Sequence, residues 1–337
     1  MNTWWRFVGA VSSRYEPNTY RGSLKALVPL DLTLSLLAKR SYTAYRLWSA
    51  YADLTGPLFD RAGGPPLATE DGALLGDLQR DGYAFAASRL PADEVRHTRG
   101  YLLSLYEEAH SHARRYPTQT DLSWTERGIT FQVLRSCGRT RFHFSAESLA
   151  HAETPGLLRR FARDERVAAL LGAYFEIGEV LPGLPYFMAE VMDTSATLES
   201  WHVDCLRETV KVYLSLDDMG EGKGPVRYLP GSHRIDEARH HLFHEIARGG
   251  LGPAYFDKHE CAALDRAGVP ITVPFNTLIL FDTRGFHAGS LCRTDRRIIL
   301  ANGYRPVTAT RLNPRLFRDP APALYPWQRR PHDWQAT

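Results

Sequence analysis

Thr277-Leu278-Ile279-Leu280-Phe281-Asp282-Thr283-Arg284-Gly285-Phe286-His287 decides the fold class of this chain. It opens as a short apolar run with β-branched and aromatic members, and a Gly-bearing turn ends the run before the histidine. The same texture recurs on both sides, in Tyr186 to Met192, Thr209 to Leu216, Gly224 to Leu229, Val269 to Val273 and Arg297 to Tyr304. Short runs separated by Gly, Pro, Asp and Ser predict an all-β sandwich or barrel core from about Pro185 onward. Upstream the pattern changes. Leu74, Leu75, Leu78 and Tyr83 are spaced turn by helical turn, and Tyr83-Ala84-Phe85-Ala86 reads as a short strand. Pro91-Ala92-Asp93-Glu94 opens a helix to about Arg115, because Pro suits a first turn and acids suit its positive end. A further helix is expected from Pro155 to Tyr174. Helices ahead of a β-core give the α+β class.

His202-Val203-Asp204 sits just before one of the expected strands, and His287 follows another. A His-x-Asp pair lets an imidazole and a carboxylate face one point. Two histidines and one carboxylate are the donor set of non-haem Fe(II) centres, which keep coordination positions open. The tripeptide alone is weak; followed by a β-core, a second histidine and an arginine it is far more specific. That arginine is Arg297 or its neighbour Arg296. A guanidinium at the start of the last strand suits the far carboxylate of a dicarboxylate such as 2-oxoglutarate. Counting back from Tyr304, with Leu300 taken as an internal apolar position, favours Arg297.

Several stretches together resemble the phytanoyl-CoA dioxygenase-like Fe(II)/2-oxoglutarate oxygenases. They are Leu78-Gln79-Arg80-Asp81-Gly82-Tyr83, Trp201-His202-Val203-Asp204, Ser215-Leu216-Asp217-Asp218, Pro230-Gly231-Ser232-His233-Arg234, Phe281 through Ser290, and Arg297-Ile298-Ile299-Leu300 leading to Tyr304. The resemblance covers roughly residues 74 to 306. It implies a double-stranded β-helix, or jelly roll, flanked by helices. It implies His202, Asp204 and His287 as iron ligands and the arginine as the holder of 2-oxoglutarate, with O2 as the other cosubstrate. It also places an aromatic, Tyr213, near the cosubstrate. The step from His287 to its arginine is about one residue shorter than the family's. The reaction expected is hydroxylation of an aliphatic carbon in a small or lipid-like molecule, in a natural-product tailoring setting. The alternative is a cupin-like metalloenzyme or metal-binding module that does not use 2-oxoglutarate. A halogenase is disfavoured by Asp204, which fills the position a halide needs.

Other residues carry blander readings. His233 reads as part of a structural turn. His240, His241 and His244 read as a solvated helix or lid rather than a second metal site, and Cys205, Met188 and Met192 as packing. Substrate approach is expected from the segment before Trp201 and from the loops holding Phe243, His244, Tyr255, Phe256 and Lys258.

The rest of the chain sets limits. It has 337 residues, 44% hydrophobic and 23% charged, with a net charge of +3. That suits a globular enzyme with a sizeable core and gives no concentrated basic face for nucleic acid. Cys137, Cys205, Cys261 and Cys292 form no CxxC pair, so reduced thiols in a cytoplasm are expected. The first residues lack the apolar core of a signal peptide, and Leu24 to Ala38 is broken by Lys25, Pro29 and Asp31, so no membrane span is expected. Three parts are expected: a helical extension over 1–68, a catalytic domain over 69–307 and a surface tail over 308–337. An amphipathic helix around Leu36 to Trp48 packs on the main domain or contacts a membrane surface or partner. Oligomeric state is not legible.

Overall fold

The structure is a computed structural model that describes residues 43, 46, 47, 67–175, 180–197, 199–204, 209–236, 254–256 and 258–306. The expected N-terminal extension (residues 43, 46, 47, 67 and 68 apart), the histidines at 240–244, Phe243, Cys205 and the C-terminal tail lie outside them.

Leu74 and Leu78 fall one turn apart, and helix α1 (Thr69–Asp81) buries both. Gly82 ends it at φ 82°, with its N–H returned to the Leu78 carbonyl. Strand β1 (Tyr83–Ala87) follows, then helix α2 (Ala92–Ala113) behind Pro91. Next come three antiparallel strands that the sequence reading does not anticipate: β2 (Asp121–Glu126), β3 (Ile129–Leu134) and β4 (Arg139–Phe144). Their turns need positive φ, at Arg127 and Gly128 between β2 and β3 and at Gly138 before β4. After short α3 (Ala146–Ala150), the single helix expected from Pro155 to Tyr174 is two, α4 (Gly156–Ala162) and α5 (Glu165–Tyr174). Arg163, at φ −134° and ψ 40°, breaks the first. The Asp164 side chain accepts the Val167 N–H and caps the second.

The remaining elements are β5 (Val180–Met192), β6 (Glu199–Val203), β7 (Val210–Ser215), β8 (Val226–Tyr228), β9 (Ala254–Tyr255), α6 (Lys258–Ala267), β10 (Val269–Pro270), β11 (Thr277–Asp282), β12 (His287–Gly289) and β13 (Arg297–Pro306). They form an eight-stranded sheet in the order β1-β11-β7-β13-β5-β4-β3-β2 and a five-stranded sheet in the order β10-β8-β12-β6-β9. Every pairing is antiparallel. This is the expected double-stranded β-helix core flanked by helices.

Alternation gives the larger sheet two unlike faces. Phe131, Phe142, Phe187, Val212, Leu214, Leu280, Ile298, Leu300 and Tyr304 join one buried cluster with residues of α1, α2, α4 and α5. Each such side chain contributes about 1.5–3 kcal/mol by leaving water. Ile279, Phe281 and Ile299 point the other way, against Tyr228 and Val226 of the smaller sheet and with Tyr213 beside them. Leu300, expected inside the barrel, is therefore on the helix side, and Arg297 has the parity of Ile299. The preference for Arg297 places it on the inner face, but for a different reason: Leu300 and Tyr304 mark the opposite side.

Candidate metal centre

β6 and β12 are neighbours, and His202 and His287 are direct cross-strand partners with ring centroids 4.2 Å apart. Asp204 lies two residues beyond His202, so extended backbone returns its side chain to the same side. Its N–H is tied to the Thr283 carbonyl at 3.3 Å. One oxygen of Asp204 is 3.5 Å from His202 Nε2 and the other 3.7 Å from His287 Nε2. One ligand atom from each of the three residues lies within 4.8 Å of the others.

The backbone sets the histidine tautomers. His202 Nδ1 contacts the Ser200 carbonyl and His287 Nδ1 the Gly285 carbonyl, both at 2.9 Å. A carbonyl only accepts, so each Nδ1 carries a proton and each Nε2 is turned to Asp204. His287 Nε2 is buried and has no hydrogen-bond partner among the described residues. Burial, and then the neighbouring His202, push the His287 pKa down to about 3, so its ring is neutral. Burial works to raise Asp204, but Lys211 and then the two histidines outweigh it and hold the carboxyl well below its usual range. An ionised carboxylate and two imidazoles tied through Nδ1, one of them neutral with an unused buried lone pair, fit a divalent iron ion.

The turn that delivers His287 is braced from several directions. The buried Asp282 carboxylate accepts the Tyr174 hydroxyl at 2.7 Å and the Arg284 guanidinium at 2.6 Å. Ser232 Oγ accepts the Phe286 N–H at 2.8 Å. Tyr228 donates its hydroxyl to the Asp282 carbonyl at 2.9 Å and crosses so close to Gly285 that a Cβ there would strike it. His233, read as structural, is buried with Nε2 3.1 Å from the Gln79 carbonyl.

Along the inner face, Tyr213 meets Phe281 edge to face at 5.1 Å. Beyond it lies Arg297, only 3% exposed, while Arg296 is on the helix side, 3.0 Å from Glu107 and over the Tyr106 ring. Arg297 is not a bare cation. Its Nη2 donates to Glu190 at 2.7 Å and its Nη1 to the Gly224 carbonyl. Arg141 donates to the other Glu190 oxygen at 2.8 Å. Burial works to raise Glu190, but Arg139, Arg141 and Arg297 together hold its carboxyl far below the usual range. Arg297 Nε is buried without a partner among the described residues, a donor still open to a further carboxylate.

The sequence reading gives Lys211 no role; its Nζ is 2.6 Å from Asp204. It misses Glu190 and Arg141. A lone glutamate in the apolar run Tyr186 to Met192 was the available signal for the first. Phe256, expected along the substrate approach, is buried against Phe286 at 4.6 Å instead. Met192 is core, whereas Met188 is half-buried on the inner face.

Together, jelly roll and donor set define a non-haem iron oxygenase class. The chain belongs to the phytanoyl-CoA dioxygenase (PhyH) family, whose model matches residues 78–298. It is an Fe(II)- and 2-oxoglutarate-dependent oxygenase that uses O2 as its other cosubstrate. No curated protein matches the sequence. Among solved structures, the chain is similar to AviO1 from Streptomyces viridochromogenes Tue57, at 19% identity and TM-score 0.48 over 71% of this chain and 96% of that one. It is similar to the epimerase SnoN, solved in complex with Fe3+, alpha ketoglutarate and nogalamycin RO, at 18% and 0.45 over 70% and 83%. EctD from S. alaskensis, solved with 2-oxoglutarate and 5-hydroxyectoine, matches at 18% and 0.44 over 74% and 79%.

Proposed function

We propose that the protein hydroxylates an aliphatic carbon of a small or lipid-like molecule, with His202, Asp204 and His287 as its iron ligands. The observation that carries the reading is the buried, unpartnered Nε2 of His287 facing the Asp204 carboxylate across 3.7 Å. A neutral imidazole with nothing to accept from is poised for a metal. His202 and His287 would hold iron through Nε2, their rings fixed by the Ser200 and Gly285 carbonyls. Arg297 would hold the far carboxylate of 2-oxoglutarate through its open Nε–H, with Tyr213 on the same inner face of the sheet, opposite Ala301. The chemistry supplied by the bound iron is oxidation coupled to decarboxylation of 2-oxoglutarate to succinate and CO2, with one oxygen atom delivered to carbon. Hydroxylation is favoured over halogenation because Asp204 takes the position a halide would need.

A cytoplasmic setting agrees with the thiols of Cys137 and Cys292, which form no disulfide among the described residues. No helix among the described residues is long and apolar enough to cross a membrane. A small-molecule substrate, in natural-product tailoring, is the reading we adopt; no nucleic-acid surface is proposed.

Succinate release from 2-oxoglutarate with iron, across a panel of metabolites, tests the activity. A hydroxylated product with succinate in equal amount is the expected result. Asp204→Gly should fall to background while its thermal unfolding matches the parent, and it should not become an efficient halogenase. Full turnover by that variant with stoichiometric iron would remove Asp204 from the ligand set.

A further inference from the structure

The two oxygens of Asp204 have different neighbours. Oδ2 is 2.6 Å from the Lys211 ammonium and 3.7 Å from His287 Nε2, while Oδ1 is turned to His202, 3.5 Å from Nε2. Lys211 reaches this point from the inner face of β7, one alternation step before Tyr213. Both side chains are largely sheltered, at 28% and 22% exposure. We propose that Lys211 is a positioning residue of the metal centre: its ammonium keeps Oδ2, so that Asp204 meets the iron through Oδ1 alone. The proposal rests on the ligand set given above.

A carboxylate can offer a cation one oxygen or both. If both went to iron, one of the positions left open by a two-histidine, one-carboxylate set would be filled. Bidentate 2-oxoglutarate and O2 need those positions. A charge-assisted N–H···O bond is about twice as strong as a neutral one, so Lys211 competes well for Oδ2. Its charge acts in the same sense. An ammonium close to a dication weakens the hold on the metal and strengthens attraction for an incoming dianion. Lysine at this position therefore favours cosubstrate at the expense of metal affinity.

A lysine that merely props up the site would behave differently. Its loss would let Asp204 swing away and would lower metal affinity, as replacing outer groups around a metal does by about 10–100-fold.

The test uses the full chain under anaerobic conditions, as the parent, Lys211→Met, Lys211→Gln and Lys211→Arg. Each apoprotein is titrated with Mn(II) or Fe(II) by calorimetry. The Fe(II)-loaded forms are then titrated with 2-oxoglutarate, followed by the weak metal-to-ligand absorption. In both neutral variants the Kd for 2-oxoglutarate should rise about tenfold or more, the metal Kd should not rise, and arginine should restore cosubstrate binding. Thermal unfolding of each apoprotein shows which neutral variant is folded and counts. A metal Kd raised about tenfold or more in a folded neutral variant overturns the proposal, whatever happens to 2-oxoglutarate. Unchanged cosubstrate affinity overturns it too. A parent protein that takes up no metal would instead overturn the ligand set itself.

Discussion

Strand β13 serves two environments in alternation. Ile298, Leu300 and Tyr304 turn to the helices and sit among Phe142, Phe187 and Val212, whereas Arg297 and Ile299 turn to the smaller sheet. The difference runs across the whole large sheet. On β4, Phe142 and Phe144 face the helices, while Arg141 and His143 share the side of Glu190 and Met188. On β7, Val212 and Leu214 face the helices, while Lys211 and Tyr213 face inward. One side therefore holds the sheet to its helices by burying apolar surface. The other is rich in charged and polar groups that burial alone would penalise, held by pairing. Stability and chemistry are separated by a single residue step, so substitutions a few positions apart on one strand should have unlike consequences.

The sharpest contrast is between Arg297 and its neighbour. Breaking one side of a sheltered charge pair costs on the order of 3 to 5 kcal/mol. Arg297→Leu should thus raise the 2-oxoglutarate requirement at least about a hundredfold while iron binding stays almost intact. Arg296→Leu should do far less, because Arg296 lies outside on Glu107 and Tyr106. Titrating both variants with 2-oxoglutarate decides it; if Arg296→Leu is the damaging change, the inner face is assigned wrongly. Leu300→Ala probes the opposite face. It should lower stability by about 2–5 kcal/mol in urea unfolding and leave the Kd for 2-oxoglutarate unchanged. A cosubstrate defect without loss of stability would break the separation of the faces.

The smallest effect is expected at His143, on the polar side. Burial first, then Arg141, push its pKa down to about 4, and its Nε2 is 3.1 Å from Gln132 Oε1. Its folded pKa lies below the unfolded value of about 6.5, so the unfolded chain takes up the proton first and stability falls as pH drops through that window. Between about pH 7.5 and about pH 5 this residue should cost at most about 2 kcal/mol. His143→Gln should flatten that part of the stability–pH curve. An unchanged slope would mean that His143 is not held neutral.

The sequence made the jelly-roll strands legible because β11 is a nearly continuous apolar run and β7 alternates Val210, Val212 and Leu214 with Lys211 and Tyr213. It made the metal donors legible because His-x-Asp is a local pattern. β2, β3 and β4 were not legible. Their inner positions, Ser123, Gln132, Arg141 and His143, are polar, and half of an alternating pattern then resembles loop. The pairing of Arg297 with Glu190 spans over a hundred residues and depends on register between β13 and β5, which no local pattern encodes. The two-helix break at Arg163 and Asp164 was available as a capping signal, since Asp three residues before Val167 is a helix start.

Gly285 has an evolutionary consequence. Its carbonyl fixes the tautomer of His287, and its missing side chain leaves the space that the Tyr228 hydroxyl occupies on its way to Asp282. Any side chain at this position would have to dislodge Tyr228, and with it the turn that aims a metal donor. New substrate ranges can thus be explored through residues lining the approach, but not by reshaping this pivot. In a randomised library of the β11–β12 turn selected for turnover, position 285 should return glycine alone, however freely the rim around it drifts.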